Sequence, residues 1–71
     1  MSDFKMTIAA ARVNAKKTQE ELAKALKVSK QTIGNWENGK TSPTVEQAME
    51  FCRICSVPYD AVSFLRERNA I

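Results

Sequence analysis

Histidine is missing from this sequence, and glycine, cysteine and proline occur only twice each. Without histidine, a serine or cysteine triad loses its usual general base and a metal site its commonest ligand. Two glycines leave no phosphate-cradling loop and no dinucleotide fingerprint. The cysteines form a C-x-x-C, Cys52-Arg53-Ile54-Cys55. Zinc needs four ligands, and only these two thiols are present. A redox pair of this spacing opens a helix beside a strand, whereas this one falls late in a helical pattern in a chain with no strand pattern. Both therefore read as buried, reduced core thiols of a cytosolic protein. No apolar run approaches the roughly 18 residues of a membrane span. The lead Met1-Ser2-Asp3-Phe4-Lys5 lacks the charged-then-apolar shape of a secretory signal, so the expected compartment is the cytoplasm. No catalytic constellation can be assembled, and neither a cofactor nor a metal is expected.

Seventy-one residues suit one small domain, expected to span 1–71 with a core of about 7–66. A core of this size rarely supplies more than about 3–5 kcal/mol, which makes a partner subunit plausible on energetic grounds. The formal charge is +3 and unevenly placed. Up to Val45 there are eight Lys/Arg against four Asp/Glu, and from Glu46 onward three against four. Such a modest lysine excess is by itself an ordinary solvated face. It gains weight only if the basic half also carries a motif that meets phosphate.

That half does carry one, from Thr18 to Asn38: TQEELAKALKVSKQTIGNWEN. Thr18 followed by Glu21 has the spacing of a capping box, and Leu22, Ala23 and Leu26 then form a buried stripe. Ser29 is a second cap. Behind it Ile33 and Trp36 lie on an apolar face, while Lys30, Gln31, Thr32 and Asn35 look outward. Only Lys27, Val28 and Ser29 are left for the turn, with Val28 placed to plug the angle. Two short helices so joined have helix-turn-helix geometry, the second offered to a DNA major groove. By type, Gln31 can pair bidentately with adenine and Lys30 can donate to guanine. Taken without the motif, the same residues would be an ordinary wet helix face.

TQEELAKALKVSKQTIGNWENGK resembles the Cro/phage-repressor type of helix-turn-helix domain, and the resemblance runs from about Ile8 to Leu65. Its pieces here are Arg12, Thr18-Gln19, Leu22-Ala23, Val28-Ser29, Thr32-Ile33, Trp36-Glu37, Gly39-Lys40 and Pro43. The resemblance implies an all-α, five-helix, lambda-repressor-like fold with the helix-turn-helix at helices 2 and 3. It implies base contacts from Ser29, Lys30, Gln31 and Asn35. Phosphate contacts are implied for Thr18, Gln19, Thr32, Asn38, Lys40 and Thr41. Arg12 is implied to pair with Glu37 beneath the recognition helix while facing the DNA backbone. Trp36 reads as a core residue, its ring covering Arg12 and the contact with helix 1. Read alone, Arg12 would be a surface arginine of little consequence. Many relatives have glycine where this chain has Lys16 and Lys27. A left-handed conformation at Lys27 would cost roughly 1–2 kcal/mol.

The remaining chain reads as support. Phe4 and Met6 either fold back on the core or fray. Thr7 caps a first helix to about Ala15, with Ile8 and Ala11 inward. Gly39 ends the recognition helix in a left-handed turn. Thr44 or Ser42 starts a fourth helix with Val45, Ala48, Phe51, Cys52 and Cys55 on its buried face. Glu46, Glu50 and Arg53 are its wet side. Pro58 opens a fifth helix through Tyr59, Val62 and Leu65. Phe64 lies off that stripe and, with Ile71, is the candidate dimer contact. Gly34, inside the second helix of the motif, admits two explanations: close approach to DNA, or simple tolerance of a small residue.

These features converge on a sequence-specific transcriptional regulator, a Cro-like repressor that binds double-stranded DNA, a palindromic operator, as a homodimer. The chain ends without an added oligomerisation domain, which favours a minimal regulator. An antitoxin or restriction-system controller of the same fold is a rival reading, and so is a protein-interaction adaptor.

Overall fold

The computed structural model describes residues 5–64. Among these the chain forms four α-helices: α1 (Ile8–Asn14), α2 (Gln19–Leu26), α3 (Lys30–Glu37) and α4 (Val45–Cys55). A single 3₁₀ turn, Tyr59–Ala61, follows. Each α-helix opens on a hydroxyl cap. Thr7 accepts from the Ala10 N–H, Thr18 from Glu21, Ser29 from Thr32 and Thr44 from Gln47, all within 3.0–3.1 Å. At Thr18 and Thr44 the box closes reciprocally, the cap N–H donating to Glu21 Oε1 and Gln47 Oε1 at 2.8 Å. Caps of this kind contribute about 1 kcal/mol each. They matter because helices shorter than about 12 residues are marginal by themselves.

The helices also close alike. Lys16, Lys27, Gly39 and Ser56 take φ of 61°, 62°, 78° and 59°. After each, the next N–H reaches back five residues: Lys17 to Arg12, Val28 to Ala23, Lys40 to Asn35 and Val57 to Cys52, at 2.9–3.2 Å. This closure satisfies carbonyls that would otherwise be orphaned. It requires a left-handed residue, and only one of the four is glycine.

Leu22, Ile33 and Phe51 are the largest fully buried side chains, one each from α2, α3 and α4. Ile8 and Ala11 from α1, Ala23, Trp36, Ala48, Cys52, Cys55 and Val62 complete the buried set. Leu26, Val28 and Val57 pack against the core from its edge, so Val28 and Val57 seal the turns they follow. Cys52 and Cys55 are free thiols inside this core. Burial pushes both pKa values up, which keeps the thiols protonated and inert.

Three expectations are corrected. The fifth helix is, within the described residues, only the 3₁₀ turn. Met6 is the cause: its N–H donates to Ala61 O at 2.8 Å and its carbonyl accepts from Ser63 N at 2.9 Å. Val62 is thereby drawn into extended backbone and bridged to Met6, while Tyr59 is left 47% exposed. Val45 is 65% exposed rather than buried, because it is the first residue of α4 and overhangs the core. Phe64, expected on an outer face, packs against the core instead. Its ring stands edge-on to Phe51 at 5.7 Å and stacks on Tyr59 at 5.5 Å. Of the two alternatives for the lead, Met6 folds back on the core. Phe4, Leu65 and Ile71 lie outside the described residues.

Two measurements check this description. Lys27→Gly relieves left-handed strain of roughly 1–2 kcal/mol against a glycine entropy cost of about 0.5–1 kcal/mol, so thermal denaturation should show a net gain of about 0.5–1 kcal/mol. Gly39→Ala, the reverse exchange, should lose a similar amount. A colorimetric thiol reagent at pH 8 should leave Cys52 and Cys55 unmodified in the folded protein and titrate both in denaturant.

Candidate nucleic-acid interface

The motif is built from α2, the turn Lys27-Val28-Ser29 and α3. Lys27 reverses the chain through its left-handed conformation, and Ser29 starts α3 immediately afterwards. Helix α2 packs most heavily on α3, with α4 behind it and α1 also touching α3. Because Ile33 and Trp36 are held in the core, the opposite side of α3 must face solvent. Lys30 and Gln31 are exposed there, and Asn35 and Thr32 are half-buried. Among the described residues, no hydrogen bond or ion pair occupies the side chains of Lys30, Gln31 or Asn35. They are free to meet a ligand.

The hydroxyls differ from them. Ser29 Oγ lies 2.9 Å from Thr32 Oγ1 and also accepts from the Thr32 N–H. One hydroxyl of the pair must donate to the other, so the two act toward DNA as a coupled unit, not as independent contacts.

Below α3 lies the charged clamp. Arg12 Nε donates to Glu37 Oε2 at 2.6 Å and Nη2 to Oε1 at 3.3 Å. Arg12 Nη1 donates to Lys17 O at 2.9 Å. Gln19 Nε2 donates to Glu37 Oε1 at 2.9 Å. The two ionic side chains are only 16% and 9% exposed, so water does little of their solvation. The fork geometry of guanidinium and carboxylate does it instead. Among the described residues no buried side-chain N or O lacks a partner. Gln19, the first residue of α2, is thus oriented by the last residue of α3. Sequence spacing carries no signal for that bond, since the two positions share no helix.

The loop after α3 is fixed by the same helix. Lys40 and Thr41 both donate backbone N–H groups to Asn35 O, at 2.9 and 3.4 Å. Thr18, Asn38, Lys40 and Thr41 are all exposed, at the start of α2 and the end of α3. The Thr18 hydroxyl already accepts a cap bond but retains its O–H for donation. Free amide N–H groups in the first turn of α2, beside Gln19, favour an anion by dipole and by geometry. Among the described residues no group of carboxylates and thiols could hold a metal, and no helix is long and apolar enough to cross a membrane.

A family model described as helix-turn-helix matches residues 8–62, from the start of α1 to the bridge residue Val62. No curated protein and no solved structure matches the chain.

Removing the Glu37 carboxylate strands a largely covered guanidinium. Glu37→Ala should cost about 3 kcal/mol, the order found when one partner of a covered ion pair is deleted. Chemical denaturation checks this, and an unchanged midpoint would show that the pair holds nothing together.

Proposed function

The chain belongs to the helix-turn-helix family of the Cro/phage-repressor type, a DNA-binding and non-enzymatic family, and on that footing we propose that it is a Cro-like repressor reading an operator through the major groove. The observation that carries the proposal is the outward face of α3, where Lys30 and Gln31 stand exposed and uncommitted on a helix pinned from beneath. A solvated face with no role needs no such pinning. A reading helix does, because a base contact depends on reach and angle.

In this reading Gln31 and Lys30 contact base edges, with Asn35 beside them and Ser29 at the helix start. Thr18, Gln19, Thr32, Asn38, Lys40 and Thr41 flank them and approach phosphates, which fix register without reading sequence. Arg12 acts through the clamp: it holds Glu37, which holds Gln19. One recognition helix covers only a few base pairs, so useful affinity calls for a homodimer on a palindrome with half-sites about one helical turn apart. The basic balance of residues up to Val45 adds a sequence-independent attraction that weakens with salt.

Fluorescence anisotropy with a duplex from upstream of the protein's own gene and with a scrambled duplex, at several salt concentrations, tests the proposal. A preference of at least about 10³ for the native duplex supports it. Weak and equal binding to both, followed by failure to enrich any fragment of the genome, refutes it. Gln31→Ala should cost about 1–3 kcal/mol on the operator and almost nothing on the scrambled duplex. Lys40→Ala should weaken both alike and lower the salt slope by about one.

A further inference from the structure

The outward sides of the helices differ in a way that the core does not explain. On α2 the exposed positions are Glu20, Glu21, Lys24 and Ala25, and on α4 they include Glu46, Met49 and Arg53. These are strong helix formers, although α1 also exposes Val13 and Asn14 and α4 exposes Val45, which are poorer ones. Among the described helices, only α3 has a glycine inside it. Beside Lys30 and Gln31 it carries Asn35 and Gly34, and glycine is the poorest helix former after proline.

An interior helical glycine is ordinarily kept for a positive φ or for a neighbour too close to admit a Cβ. Gly34 has neither reason. Its φ is not positive, and a methyl built on it would meet nothing within 4 Å. Among the described residues nothing in the chain excludes a side chain there. The position on the helix points instead to a ligand. At about 100° per residue, Gly34 lies roughly 60° around the helix from Gln31, and Asn35 roughly 40° to the other side. The glycine shares the face that carries the uncommitted amides.

We infer that Gly34 is a close-approach point, where the backbone of α3 itself rests against the edges of the base pairs of double-stranded DNA. A methyl there holds the helix off and lengthens the hydrogen bonds that Lys30 and Gln31 make to the bases, which weaken with distance. The inference rests on the DNA-reading function proposed above. It adds that sequence specificity is obtained at the expense of α3 stability, so the two properties must move in opposite directions at this residue.

The test begins with selection of duplexes from a random pool by the wild-type protein. Thermal melting, and affinity for the selected and a scrambled duplex, are then compared for wild type and Gly34→Ala. The expected result is a melting temperature higher by about 4–8 °C, the shift that the alanine gain produces in a domain of this size. With it comes a loss of at least about tenfold on the selected duplex and little change on the scrambled one. A variant that melts higher and binds the selected duplex as the wild type does overturns the inference while leaving the proposed function intact. A variant that melts lower also overturns it, because a side chain would then be excluded from within. If the wild type enriches no duplex, the proposed function has failed and the inference falls with it.

Discussion

A single carboxylate holds the working geometry together. Glu37, at the end of α3, accepts from Arg12 of α1 and from Gln19 of α2, and Arg12 also donates to the Lys17 carbonyl in the loop between those helices. An ion pair that is largely out of water is favourable only when its geometry is good and its remaining donors are matched, and both conditions are met here. The consequence is directional. Burial of Ile33 and Trp36 keeps α3 on the protein, and the fixed geometry of these hydrogen bonds further constrains its angle.

Around that clamp the helices are short, 7 to 11 residues, and each is defined at both ends by local chemistry. Hydroxyl caps begin them and left-handed closures end them. Three of those closures are made by Lys16, Lys27 and Ser56, residues that pay roughly 1–2 kcal/mol for the conformation. The fold accepts this because the next residue gains: Val28 and Val57 reach the core only if the chain turns there. Packing outweighs local strain, in a domain whose small core leaves little reserve.

Much of the local structure of the motif is legible in the sequence. Thr18 with Glu21, Ser29 before Ile33 and Trp36, and Gly39 after Glu37 are local signals, each acting within one turn of helix. The failures share a cause. Met6 and Val62 are far apart in sequence, and their bridge replaced a helix that Pro58, Tyr59 and Val62 otherwise suggested. Val45 has the right period for the buried face of α4 yet overhangs it, because period says nothing about where the neighbouring helix stops. The left-handed Ser56 carries no residue-type signature, since serine adopts that conformation only when its surroundings compel it.

The sequence by itself determined the helix starts, most of the buried stripes and the outward residues of α3. Those follow from contacts between residues a few positions apart, which spacing encodes directly. Only the tertiary structure decided that Glu37 serves Gln19 as well as Arg12, that Phe64 turns in onto Phe51, and that no described residue crowds a side chain at position 34. Each depends on the distance between atoms remote in sequence, and such distances exist only once the helices have packed.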